Sequence, residues 1–164
     1  MGPRLRTALT LLVLLGVVLG AAAWGWSRLT SPVGDAAGGP CTETDLEPGD
    51  RVTTEQVVVT VLNAGSRSGL AGRVTGDLVD QGFVKGQSTN APSGTEVPRV
   101  QIWTDSPRSP QVRLVRGYLG EVSVVRRDPV GEGVTVVVGD DFEELTAGPA
   151  RVTVREDTTA CLAG

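Results

Sequence analysis

The sequence predicts an α/β domain: a small mixed sheet of about five strands with two helices, in the order β-α-β-β-α-β-β. Three observations carry this expectation. β-Branched runs of strand length stand at 57–62, 99–104, 122–125 and 134–138, and two segments between them repeat apolar residues at helical spacing. The succession strand, turn, helix, glycine, strand also occurs twice, which suggests internal duplication. Two βα units that share one sheet and carry helices on one or both faces are the simplest way to fold such a chain.

Taken in order, the first strand is VVVTVL from Val57, suited to burial on both faces, and it ends at Asn63-Ala64-Gly65. A helix follows over about 68–81, with Ser68 as its N-cap and Leu70, Val74 and Leu78 on one face; Gly82 stops it. Phe83-Val84 opens a weaker strand that fades into NAPSGTEVP, and RVQIWT (99–104) places Val100 and Ile102 on one face. Ser109 caps a second helix that starts at Pro110 and buries Val112, Val115 and Leu119 before Gly120. Val122–Val125 and Val134–Val138 are separated by a Pro/Gly turn and complete the sheet, and RVTVR (151–155) is expected as an additional edge strand.

The domain organisation follows from what precedes these elements. Residues 8–26 form an apolar stretch without a charge, with Arg4 and Arg6 ahead of it, Arg28 behind it, and Trp24 and Trp26 at the expected interface depth. This reads as one transmembrane helix preceded by a cytoplasmic N-terminus (1–7), which leaves the rest extracytoplasmic. The competing reading is a signal peptide cleaved near Ala21-Ala22-Ala23, and it exports the domain as well. Residues 27–54 lack hydrophobic periodicity and read as a flexible stalk. The α/β domain then spans 55–145, followed by a tail over 146–164.

Composition narrows the chemistry. All 19 acidic residues but only 12 of the 15 basic ones lie beyond Arg28, so the exported segment carries a net charge of −7, unsuited to nucleic acid or anionic lipid. No histidine occurs, which removes the usual general base and the commonest zinc ligand. Cys41 and Cys161 bracket the folded part, and in an oxidising compartment they would pair; two unpaired thiols are the alternative. No metal site and no cofactor are expected.

Two segments could carry chemistry. The loop of Asn63, Gly65, Ser66, Arg67 and Ser68 enters a helix, where backbone amides and hydroxyls could hold an anion such as a sugar phosphate or carboxylate. Its spacing matches neither the dinucleotide fingerprint nor the phosphate loop. The alternative is structural: Gly65 relieves a sharp turn that Asn63 ties, while Gly69 and Gly72 let the helix approach the sheet. Asp140-Asp141, after Gly139, could serve a metal or acid-base chemistry, or could cap a turn. Arg113, Arg116, Arg126 and Arg127 could form a basic surface, or a solvated face.

VTVLNAGSRSGLAGRVTGDLVDQGF together with VTVVVGDDF resembles the C-terminal domain of LytR-CpsA-Psr proteins, with matches at Asn63, Gly65, Gly69, Leu70, Ala71, Gly82, Phe83, Gly139 and Asp140. The resemblance implies an extracytoplasmic accessory domain of the cell envelope. In larger relatives it accompanies a glycopolymer transferase domain for which this chain has no room, so that activity is not expected here. Anchor, stalk and lone domain resemble the small actinobacterial cell envelope integrity proteins. The expected function is a non-catalytic binding or scaffolding module for cell-wall assembly or envelope integrity, whose partner is a cell-wall glycan or glycopolymer. Alternatives are an adaptor that binds an envelope assembly protein such as a glycopolymer transferase, and a phosphate- or nucleotide-handling enzyme that uses the glycine loop.

Overall fold

The computed structural model describes residues 41–164 together with Leu14, Gly16 and Val17. The chain divides into two units, Met1–Ala36 and Ala37–Gly164; in the first, those three residues are helical and exposed. The rest of the expected cytoplasmic start and membrane helix, and the expected stalk up to residue 40, lie outside the described residues. Among the described residues no helix is long and apolar enough to cross a membrane.

In the second unit, β1 (Thr42–Leu46) and β2 (Arg51–Thr53) lead through a 3-10 turn (Thr54–Gln56) into β3 (Val58–Asn63), α1 (Leu70–Asp80), β4 (Val84–Asn90) and β5 (Val100–Thr104). α2 (Pro110–Leu119), β6 (Ser123–Arg126), β7 (Val134–Val138), β8 (Arg151–Thr153) and β9 (Thr158–Leu162) follow. Five strands form one mixed sheet in the order β4-β3-β7-β5-β6. β3 runs parallel to β4 and β7, β5 runs parallel to β6, and β5 and β7 are antiparallel. The expected β-α-β-β-α-β-β succession is therefore present, as two βαβ units that step outward from β7 with opposite strand directions.

That arrangement decides where the helices go. A right-handed crossover stepping outward from β3 and another stepping outward from the reversed β5 must place both helices on the same face. Burial agrees: Val57, Val59, Val61, Val100, Ile102, Val134, Val136 and Val138 share one core with Val74 and Leu78 of α1 and Val112, Val115 and Leu119 of α2. The alternate residues Leu62, Trp103 and Val137 face the other way, where loop residues Ala91, Val97 and Val130 cover them. Arg127 stacks there on Trp103, 4.3 Å from the ring centroid, a contact of about 0.5–1 kcal/mol at an exposed site.

Residues 41–54 differ from the stalk reading. β1 pairs with β9 and β2 with β8, both antiparallel, and Leu46, Val52, Val154, Ala160 and Leu162 join the helix-side core. RVTVR therefore supplies β8 of a separate two-stranded ladder, not an edge strand of the main sheet. These strands have only three to five residues, half of them exposed and without a regular alternation, so they show no periodicity. Their partners lie at the far end of the chain, and pairing alone defines them. Cys41 and Cys161 form a disulfide across 120 residues of sequence. It ties the start of β1 to β9.

The ends also carry a stability test. Closing a loop of this length lowers the entropy of the unfolded chain by an amount worth up to about 4–5 kcal/mol. Cys161→Ser, or reduction under native conditions, is expected to lower the unfolding free energy by several kcal/mol at most, measured from denaturant midpoints. β1 and β9 are expected to lose amide exchange protection first, before the central sheet.

Candidate functional site

The Asn63–Ser68 loop leaves the end of β3, beside the end of β7, because the parallel register puts Asn63 opposite Val138. Asn63 closes the first turn by itself: its Oδ1 accepts from the Gly65 amide at 3.0 Å, and its Nδ2 donates to the Arg67 carbonyl at 2.8 Å. The loop amides point at a carboxylate that the protein supplies. Ser66 N–H donates to both oxygens of Asp140 at 2.9 Å, the Ser66 hydroxyl donates to Oδ2 at 2.9 Å, and Arg67 N–H donates to Oδ1 at 3.1 Å. Arg67 Nε lies 3.7 Å from the same carboxylate, and its Nη2 donates to the Phe142 carbonyl at 2.6 Å.

The loop amides are thus engaged within the chain, by Asp140. Gly65 follows from the same contact, since a Cβ there would overlap the Asp140 carboxylate. Asp140 is the turn-capping member of the Asp140-Asp141 pair, engaged with loop amides instead of being free for acid-base work. The Ser66 amide, then its hydroxyl, then the Arg67 amide hold the Asp140 carboxyl below the ordinary carboxylate range, and the Arg67 charge adds a smaller share against slight desolvation. The carboxylate and the guanidinium are each nearly half exposed, so solvent screens their mutual attraction.

Two details of the loop differ from the sequence reading. Ser68 does not cap the helix: the N-cap is Gly69, at φ +76°, with no side-chain cap bond. A left-handed backbone is what glycine tolerates there. Gly72 has room, its nearest neighbour being Ser88 Oγ at 4.0 Å from an ideal Cβ, so close packing of helix on sheet does not require it. Ser68 instead lies on the rim of a cleft of ≈390 Å³, with Asn63, Ser66, Asn90, Ser93 and Thr95 supplying amides and hydroxyls.

A second concavity was only partly visible in the sequence. Arg113, Arg116 and Arg126 line a cleft of ≈630 Å³ together with Arg108 and Arg155. Arg127 belongs to the opposite face of the sheet, because neighbouring strand-end residues point to opposite sides. Arg108 lies in the β5–α2 connection and Arg155 in the β8–β9 connection, so no periodic signal could have joined them to the others.

Fold and loop together define a small, disulfide-closed α/β domain whose glycine loop is clasped by a carboxylate from its own chain. The chain belongs to the LytR C-terminal domain family, described as LytR cell envelope-related transcriptional attenuator, which matches residues 56–142. Its fold is similar to the crystal structure of the soluble domain of a conserved hypothetical secreted protein from Mycobacterium marinum. The TM-score is 0.52 at 25% identity, over 63% of this chain and 79% of that one. Comparison with curated proteins finds no match.

The clasp gives two expectations. Because the Asp140 pKa is depressed in the folded state, its contribution to stability is full above the unfolded-state value of about 4 and is lost as pH falls through the lower folded value. Asp140→Asn is therefore expected to lower Tm at neutral pH and to flatten the acid limb of a Tm-against-pH curve. Gly65→Ala is expected to cost about 1–3 kcal/mol by overpacking, and measurably less in an Asp140→Gly background. A double-mutant cycle reads that coupling; additive effects would mean that the two residues do not meet.

Proposed function

We propose that this chain is a non-catalytic binding or scaffolding module of the cell envelope, acting outside the cytoplasmic membrane in support of cell-wall assembly or envelope integrity. Residues 8–26 anchor it there as a single membrane-spanning segment. Family membership, the disulfide, and the description of its structural neighbour as secreted all support this reading.

The clasp of Asp140 by the Ser66 and Arg67 amides is the observation that carries it. A phosphate-handling enzyme would need those amides for substrate, whereas here they are spent on rigidity, so the family motif works as a scaffold. Rigid loops that present polar groups suit recognition, since little ordering entropy is lost on contact. Ser68, with Asn90, Ser93 and Thr95 across the ≈390 Å³ cleft, suits hydrogen bonding to a hydroxylated ligand. A cell-wall glycan or glycopolymer is the ligand class of that chemistry.

The test is co-sedimentation of the full chain, in mild detergent, with insoluble peptidoglycan that does or does not carry its attached polymers. Retention on either wall preparation is expected. Failure to sediment with both would sink the wall-binding reading in favour of an adaptor for an envelope assembly protein.

A further inference from the structure

The ≈630 Å³ cleft lies at the carboxyl ends of β5 and β6, between the entrance to α2 and the connection from β8 to β9. Five arginines line it, against Asp105, Glu156 and Asp157, in a chain whose net charge is −4. Like charges brought together this way repel one another, and the usual remedy is to pair each with a carboxylate. That remedy is not used here. Among the described residues, the one guanidinium with a carboxylate oxygen within 4.0 Å is Arg67, in the loop after β3. Arg108, Arg116, Arg126 and Arg155 are exposed and make no side-chain hydrogen bond among the described residues.

Arg113 adds a more specific sign. Its Nη2 donates to the Thr153 carbonyl at 2.6 Å, which fixes the side chain between α2 and β8, yet its Nε is buried without an acceptor. A buried guanidinium N–H left unpaired is costly. An anion seated among these arginines would stabilise the charge of that guanidinium. The entrance of α2 contributes in the same direction: its N-terminus opens on the cleft beside Ser109, and the first-turn amides carry partial positive charge.

From these features we propose that the arginine cleft binds a phosphate-bearing saccharide; the identification of the saccharide rests on the wall-binding reading above. Guanidinium groups match phosphate oxygens in bidentate geometry. The three carboxylates interspersed among them are unsuited to a bare phosphate and suited to accepting hydrogen bonds from sugar hydroxyls. Ser106 and Ser109 can serve either part of the ligand. No aromatic ring lines the cleft, so recognition is polar throughout.

The proposal is tested on the full chain in neutral detergent micelles, titrated with glucose 1-phosphate, glucose and inorganic phosphate while amide resonances are followed. Glucose 1-phosphate is expected to bind more tightly than either of the others, and to shift residues 105–110 and 154–158 while leaving 63–68 unmoved. The double variant Arg116→Gln/Arg155→Gln should weaken it by about tenfold or more, as loss of charge-assisted contacts does. Arg51→Gln/Arg151→Gln, equal in charge but outside the cleft, should leave affinity and Tm unchanged. Equal loss in both double variants would reduce the effect to general electrostatics and overturn the site. Glucose binding as well as its phosphate would overturn it too, as would binding to phosphatidylglycerol vesicles in place of the sugar phosphate. Wall retention without any glucose 1-phosphate binding would overturn the cleft alone. Glucose 1-phosphate binding without wall retention would support the cleft and remove only the insoluble wall as its source of ligand.

Discussion

The parallel pairing of β3 with β7 is the constraint on which the rest of the domain depends. These two strands are almost wholly buried and come from opposite ends of the folded region. Once they are in register, Asn63 stands beside Val138, and the loops that leave them must meet. Asp140 then reaches the amides of Ser66 and Arg67 across 74 positions of sequence. The outer strands follow from the same pairing, since β7 offers its free edge to β5 in the antiparallel sense and so reverses the second βαβ unit. Both helices consequently share one face, and the opposite face is left to loops and to Trp103.

Arginine does several different jobs around this frame. Arg67 and Arg113 satisfy backbone carbonyls, and Arg99 donates to the carbonyls of Leu119 and Glu121 while lying 5.7 Å from the centre of the Phe142 ring. Arg127 covers Trp103. A planar group with five donors can tie loops to the sheet without a carboxylate partner, which suits a chain with few aromatic residues to seal its edges. Four of the five arginines of the ≈630 Å³ cleft, Arg108, Arg116, Arg126 and Arg155, are the exception, because they tie nothing among the described residues. The loop amides are thus taken by the protein's own carboxylate, whereas the ≈630 Å³ arginine cleft is open.

Much of the central sheet was legible in the sequence. Val57–Leu62 and Val134–Val138 are β-branched runs with few alternatives, and Ser109-Pro110 marks the start of α2 through a cap and a missing amide, as its bond to the Val112 N–H shows. Where the reading failed, the signal was absent. Thr42–Leu46 has four exposed residues out of five, so nothing in it separates a strand from a polar linker until β9 is beside it. Ser68 has the composition of a cap, yet the backbone enters α1 through Gly69, because the tie from Asn63 to Arg67 has already fixed the direction of the chain. The turn tied by Asn63 was legible in the sequence, whereas the engagement of its amides by Asp140 was not.

By itself, then, the sequence determined which segments are strands and helices in the central domain, that two cysteines bracket it, and that a glycine-bearing loop leads from β3 into a helix. These properties are local, set by side-chain branching, spacing and glycine within a few residues. Tertiary structure alone decided that Asp140 fills the loop, that the chain's two ends pair as short ladders, and that Arg108 and Arg155 join Arg113, Arg116 and Arg126 around one cleft. Each of these depends on residues far apart in the chain, brought together by strand order and crossover handedness, which no local pattern encodes.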